Sequence, residues 1–285
     1  MILEIAEFLE KLLVLGHDVA GVVTKVGKKV TKFKAGDEVY SRPADYRIGT
    51  FAEFISIHEG DVALKPRNLS MEEAASIPLV ALTAWQALVE MANLQKGQKV
   101  FIQAGSGGVG TIAIQLAKHL GATVATTAST KSFDLLKDLG ADITIDYKTE
   151  DFETSLINYD VVLNSQDKNT LEKSLRIVKS GGKLISISGP PTPDFASAIG
   201  ASWIVKLVLS FLSSGIRKKA RKRNIDYTFL FMRAQGDQLS EITTLVEAGV
   251  LRPVVDKIFP FEKTNEALAY VESGHAKGKV VIKNK

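Results

Sequence analysis

The chain has 285 residues, 45% hydrophobic and 24% charged, enough for a sizeable core in one or two domains. Its net charge of +4 is mild and its lysines are mixed with acids along most of the length, so nucleic acid is not an expected partner. The absence of cysteine excludes a disulfide framework and a thiolate zinc site and fits a reducing compartment, here expected to be the cytoplasm.

The N-terminal MILEIAEFLEKLL has acids where a secretory signal needs positive charge, and no small-residue cleavage pattern. The first fourteen residues read as an amphipathic helix with Leu3, Phe8, Leu9, Leu12 and Leu13 on its apolar side. From 18 to 70 the pattern changes. DVAGVVTKVG, GDEVYS, TFAEFISI and DVALKP are short strand-like runs separated by Gly, Asp, Lys and Pro, which predicts a small barrel or sandwich.

From residue 99 the pattern alternates. Apolar, β-branched runs at 100–104, 123–127, 143–146, 160–164, 183–188 and 227–232 are separated by helical patterns such as KSFDLLKDLG and NTLEKSLRIVKSGG. This predicts an α/β fold, a doubly wound parallel sheet with helices on both faces. The first of these strands leads into VFIQAGSGGVGTIAIQLAKHLG, residues 100–121, where Gly105, Gly107 and Gly110 fit G-x-G-x-x-G between a strand and a helix. The first glycine makes the tight turn, the second admits a pyrophosphate and the third lets helix pack on strand. The cofactor-binding candidates here are Gly105, Ser106, Gly107, Gly108 and Val109, at the positive start of the helix.

The second strand exits through TVATTASTKS without the acid that usually bonds the ribose 2′-OH of NAD. Thr127 and Ser129 offer hydroxyls and Lys131 a positive charge, which suits the 2′-phosphate of NADPH. The alternative is a polar turn in which Ser or Thr caps the next helix. Residues 194–223 hold an insert, AIGASWIVKLVLSFLSSGI followed by RKKARKR, nearly long enough to span a bilayer. Lys206 and the position between two strands of the sheet favour a lid or dimer helix over the substrate cleft, with membrane-surface contact by 198–223 as the other assignment. PVVDKIFPF and GKVVIK near the C-terminus are strand-like again. The expected domains are therefore 1–78 (β), 79–249 (nucleotide-binding) and 250–285 (a return to the β domain), with a ligand cleft between the two bodies.

LGHDVAGVV, GTFAEF, LSMEEAASIPLVALTAWQAL, AGSGGVG, LGADITIDY, SGGKLISISG and SGHAKGKVVIK occur in one order between Leu15 and Lys283. In this the chain resembles the medium-chain dehydrogenase/reductase superfamily, and within it the zinc-independent quinone oxidoreductase group. The resemblance implies a GroES-like β domain beside a Rossmann domain, NADPH as cofactor, a quinone or α,β-unsaturated carbonyl as substrate, and a homodimer. Members of that group begin with further β-strands, one with an Asn-Pro segment beside the active site, before the match to LGHDVAGVV. Here the helical pattern stands instead, so the β domain is expected to be incomplete at its N-terminus and to leave apolar surface uncovered. The rival reading is an NADPH-binding regulatory protein with impaired catalysis.

The resemblance also assigns residues. It places Ser129 and Tyr147 at the 2′-phosphate. Around the nicotinamide half it places Thr83, Asn164, Ser188, Phe229, Phe231, and His275, Ala276 and Lys277 of GHAK. Phe229 and Phe231 alternate on a strand and suit a core-facing role equally well. Tyr46, in RPADYRIGTF, is either a proton donor to the substrate oxygen or a surface-loop tyrosine. GHDVAG is similar to the GHE of zinc alcohol dehydrogenases, the third reading. However, the only histidines are His17, His58, His119 and His275, and neither His58 nor His119 has ligand spacing with His17. His17 is read as a structural turn residue, and no metal is expected.

Overall fold

In the computed structural model, which describes residues 14–45 and 48–284, the runs after residue 18 form a three-stranded antiparallel sheet. Its strands β1 (Val19–Val22), β2 (Glu38–Ser41) and β3 (Val62–Leu64) pair in that order, with Val19 opposite Ser41 and Tyr40 opposite Ala63. The expected strand TFAEFISI is irregular. Its start is held by Phe51 N–H on the Leu15 carbonyl, at 2.9 Å, and no strand ladder continues along it among the described residues. Alternation alone makes no strand, because a second backbone must supply the other half of the ladder. This segment and β1 instead border an open apolar cavity of about 1560 Å³, with Phe33, Phe51 and Val280 in its wall.

Two helices follow. α1 (Met71–Ala75) begins with a capping box, in which Glu73 N–H reaches Ser70 Oγ at 3.1 Å and Ser70 N–H reaches the Glu73 carboxylate at 2.9 Å. α2 (Pro78–Trp85) starts on proline, whose missing N–H costs nothing at that position. Asp18 accepts from Leu79 N–H at 2.7 Å and pairs with Lys279 at 2.9 Å. In GHDVAG, therefore, the aspartate ties three segments together, while His17 is exposed.

The chain divides into two compact units at Leu82 and again at Met232. In the second unit, chain order runs β4 (Lys99–Ile102), α3 (Gly108–His119), β5 (Thr123–Ala128), α4 (Phe133–Asp138), β6 (Ile143–Asp146), α5 (Phe152–Ser155) and β7 (Tyr159–Asn164). It continues through α6 (Lys168–Ile177), β8 (Val178–Ser186), α7 (Pro193–Ala198), α8 (Trp203–Leu212), α9 (Ser214–Lys222) and β9 (Asp226–Phe229). All six strands are parallel, in the order β6-β5-β4-β7-β8-β9. This is the Rossmann-type order, and its direction reverses between β4 and β7. One side of the sheet is packed by Phe101, Phe152 and Tyr159, with the first two rings 4.8 Å apart. The predicted strand 100–104 stops at Ile102, which frees Gln103 and Ala104 for the loop described below.

The long apolar insert is two helices broken at Ser213. Ser213 Oγ donates to the Leu209 carbonyl at 2.7 Å and the Arg217 guanidinium to the Ser210 carbonyl at 2.9 Å, so the last carbonyls of α8 are satisfied locally. Among the described residues no helix is long and apolar enough to cross a membrane.

The first unit resumes with α10 (Gly236–Glu247), β10 (Val255–Pro260), α11 (Thr264–Glu272) and β11 (Lys279–Lys283). β10 and β11 pair in parallel as a separate two-stranded sheet. The Tyr40 hydroxyl bonds the Leu239 carbonyl at 2.8 Å, and burial pushes this phenol well above its usual pKa.

Candidate active site

The carboxyl ends of β4, β5, β6, β7 and β8 lie along one edge of the parallel sheet, and the glycine loop occupies the point where strand order reverses. Ala104 takes a left-handed φ of 51°. Its N–H reaches Thr127 Oγ1 at 3.2 Å, and Gly105 N–H reaches the Thr127 carbonyl at 2.9 Å. Thr127 is thus buried and holds the loop; its hydroxyl is not presented to a phosphate. A Cβ on Gly105 would meet Thr126 Oγ1 at 2.2 Å, and one on Gly110 would meet the Ala104 carbonyl oxygen at 2.4 Å. The first turn of α3 can press against the loop only because Gly110 lacks a side chain, and the loop can lie on β5 only because Gly105 does.

Gly107 caps α3 in extended conformation with no side-chain hydrogen bond. The N–H groups of Gly108, Val109 and Gly110 have no acceptor within the helix, so the positive end of a 12-residue helix is open to an anion. A diphosphate approached by bare backbone fits this cradle.

Ser129, Lys131 and Tyr147 come together where β5 and β6 end. Ala128 is opposite Asp146 in register, and Tyr147 N–H lies 3.4 Å from the Ala128 carbonyl. Ser129 begins a short turn without a side-chain bond of its own, Lys131 is exposed, and Tyr147 is 63% exposed. A group that sequence reasoning missed stands beside them. The Asp146 carboxylate accepts from the Thr130 hydroxyl and, at 3.0 Å, from Lys148 N–H. These two donors hold its carboxyl below the usual range. An acid is present beside Ser129 and Tyr147, but on the third strand and committed to the turn that carries Lys131.

A depressed folded pKa stabilises above the unfolded value, roughly 3.9, and that contribution is lost as pH falls through the folded value. Thr130→Val is therefore expected to return the Asp146 carboxyl toward its ordinary range and to make acid unfolding less dependent on this group. A carboxyl NMR titration checks it; an Asp146 titration unchanged by the substitution sinks the assignment.

At the ends of β7 and β8, Asn164 and Ser188 are neighbours in one network. Asn164 is fully buried; its Nδ2 donates to Gln103 Oε1 at 2.7 Å and its Oδ1 accepts from Ser186. Ser186 Oγ also accepts Gly189 N–H at 2.8 Å, and Gln103 Nε2 donates to Ser174 Oγ at 2.7 Å. Ser188 is exposed and donates to the Gln166 carbonyl at 2.6 Å. The Asn164 amide is thus spent on joining three strand ends. Gln103 and Ser186 escaped sequence reasoning; the signal was a glutamine ending an apolar run.

Phe229 ends β9, and Phe231 lies beyond the strand, half exposed. The missed Phe195 of α7 joins them, 5.2 Å from Phe229 and 5.6 Å from Phe231 between ring centroids. Thr83 is buried in α2. His275, Ala276 and Lys277 lie in the first unit, between α11 and β11, with His275 Nδ1 3.1 Å from Ser273 Oγ. Tyr46 and the N-terminal helical pattern up to residue 13 lie outside the described residues. Among the described residues no three His, Asp or Glu side chains are grouped to hold a metal ion.

Comparison with known proteins adds to this geometry. A family model described as zinc-binding dehydrogenase matches residues 139–282, and one described as alcohol dehydrogenase GroES-like domain matches residues 4–67. The chain is 37% identical over 280 residues to the mitochondrial NAD(P)H oxidoreductase RTN4IP1 of Danio rerio, covering 95% of this chain and 72% of that protein. It is 38% identical over 277 residues to the 2-methylene-furan-3-one reductase of Solanum lycopersicum, covering 94% and 62%. The solved structure of the quinone oxidoreductase from Coxiella burnetii superposes with a TM-score of 0.84 at 28% identity, over 99% of this chain and 83% of that one.

Zinc in the first description does not fit the donors here, since the chain has no cysteine and its described residues form no ligand group. One expectation is corrected. The Danio rerio protein and those of the same name in other organisms are named as mitochondrial, which speaks against the expected cytoplasmic location. Lack of cysteine could not separate the two, because it reports on redox conditions and not on address.

Proposed function

Since the chain belongs to the medium-chain dehydrogenase/reductase superfamily and its relatives are nicotinamide-dependent oxidoreductases, we propose that it reduces quinones or α,β-unsaturated carbonyls with NADPH. The observation that supports this most is the bare glycine cradle on the open N-terminus of α3 at the switch point of the sheet. The bound cofactor supplies hydride to the acceptor. The chain's own residues bind and orient. Backbone N–H groups of Gly108 to Gly110 hold the pyrophosphate, and Gly107 leaves it room. Ser129, Lys131 and Tyr147 take the 2′-phosphate, with Asp146 fixing the turn that carries Lys131. The Gln103–Asn164–Ser186 network fixes the strand ends under the nicotinamide half, where Ser188 offers a hydroxyl. The rings of Phe195, Phe229 and Phe231 exclude water beside it. The proton for the acceptor oxygen is assigned to Tyr46 on its sequence position.

Turnover is read by mixing the chain with NADPH and a small quinone or enone and following the absorbance of the reduced nicotinamide. NADPH binding without turnover would make the chain a nucleotide-binding regulatory protein. Cofactor choice has its own test. Ser129→Asp puts a carboxylate against the 2′-phosphate and removes a hydrogen bond to a charged group, worth roughly 1.5–3 kcal/mol. NADPH should weaken about tenfold or more while NADH is little affected. The measurement is the ratio of kcat/KM for the two cofactors, or of Kd; an unchanged ratio places the phosphate elsewhere.

A further inference from the structure

The insert carries an exposed apolar face that the proposed reaction does not use. α8 has no buried residue. Trp203, Leu207 and Phe211 are 74%, 62% and 82% exposed, and Ile204, Val208 and Leu212 are each at least half exposed. At roughly 100° per residue these six side chains cover one continuous half of the helix surface. Lone exposed apolar residues are ordinary, but a contiguous patch of this size marks an interaction surface.

The charges beside it say what kind. From Phe195 to Ile225 the chain has seven Lys and Arg residues and no Asp or Glu. Lys219 pairs with Glu172 and Arg217 bonds the end of α8. Lys206, Lys218, Arg221, Lys222 and Arg223 are exposed and have no ion pair among the described residues. Ile216 and Ala220 bury the other side of α9, so its cations project outward. A second copy meeting this face through a two-fold axis would bring cation against cation. A flat, anionic, apolar-cored partner matches both halves of the surface.

We propose that α8 and α9 form a docking face for an anionic lipid bilayer, with α8 lying in the plane of the interface. α8 is about 15 Å long, half the thickness of a hydrocarbon core, and so it lies on the membrane and does not cross it. The apolar arc enters the acyl boundary while the α9 cations meet the headgroups. On the reductase reading, docking brings the chain to acceptors that partition into lipid. The docking itself does not depend on that reading, because its test involves neither NADPH nor an acceptor.

The full chain is sedimented with vesicles of phosphatidylcholine alone and of phosphatidylcholine mixed with phosphatidylglycerol. Binding to the anionic vesicles is expected to be about tenfold tighter or more, to weaken with salt, and to shift the emission of Trp203 to the blue. Leu207→Asp with Phe211→Asp, and separately Lys222→Glu with Arg223→Glu, should each lose about tenfold or more in binding. All four positions are exposed, so the thermal melt should stay at the parent value. Equal binding to both vesicles, or binding that neither variant reduces, overturns the proposal. So does a dimer in lipid-free solution that the Leu207 and Phe211 changes dissociate, which would give the face to a second copy.

Discussion

Gly110→Ala is expected to weaken NADPH binding and to lower the melting temperature. The added Cβ would stand 2.4 Å from the Ala104 carbonyl oxygen, 2.6 Å from Gly105 Cα and 2.8 Å from Gly105 C. All three are backbone atoms, so no side-chain rotation relieves the contact. α3 must move off the loop, at a cost of roughly 1–3 kcal/mol, or a few degrees of melting temperature in a protein of this size. The N–H groups of the first turn move with the helix, and hydrogen bonds to a diphosphate are lost once their geometry degrades. Kd for NADPH should rise about tenfold or more.

Two comparisons make the argument specific. Gly107→Ala places its Cβ 3.3 Å from a single carbonyl oxygen, so the fold should tolerate it. Gly105→Ala collides chiefly with Thr126 Oγ1, at 2.2 Å, and Thr126→Ala in the same chain should restore much of the lost stability. Thermal denaturation and a fluorescence titration with NADPH read both properties. Parent-like binding in Gly110→Ala would mean that the loop does not carry the pyrophosphate.

Asn164→Leu should destabilise the second unit by about 2–4 kcal/mol, although the two side chains are of similar size. The leucine leaves Gln103 Oε1 without its 2.7 Å donor and the Ser186 hydroxyl without its acceptor, in a place with no water contact. Each stranded group costs roughly 1–3 kcal/mol. The sum is moderated because Ser165 N–H remains 3.3 Å from Gln103 Oε1. Urea denaturation measures the loss. Gln103→Leu with Asn164→Leu should cost clearly less than the sum of the single changes, since removing both partners leaves fewer groups stranded. Strict additivity would mean that the two amides do not act as one unit.

The sequence by itself determined the elements whose cause is local. The alternation of apolar runs and helical patterns after residue 99 fixed a six-stranded parallel sheet, because each period is set by the geometry of one element. Gly105, Gly107 and Gly110 marked the tight turn between β4 and α3 for the same reason, and the tertiary structure added the atoms that exclude a Cβ at Gly105 and Gly110. Ser70 and Glu73, three residues apart, closed a capping box.

Tertiary structure alone decided whatever needed a partner distant in the chain. TFAEFISI has the pattern of a strand but no ladder of its own among the described residues. The acid beside Ser129 and Tyr147 comes from β6, 16 residues beyond the threonine it binds. Gln103 reads as the tail of a strand until β7, 61 residues later, brings Asn164 to its side chain. The apolar insert is nearly long enough in sequence to span a bilayer, yet Ser213 and Arg217 close α8 after ten residues and leave its apolar arc on the surface. Periodicity records which side of an element is apolar; what that side meets is set by contacts between segments that no short window of sequence contains.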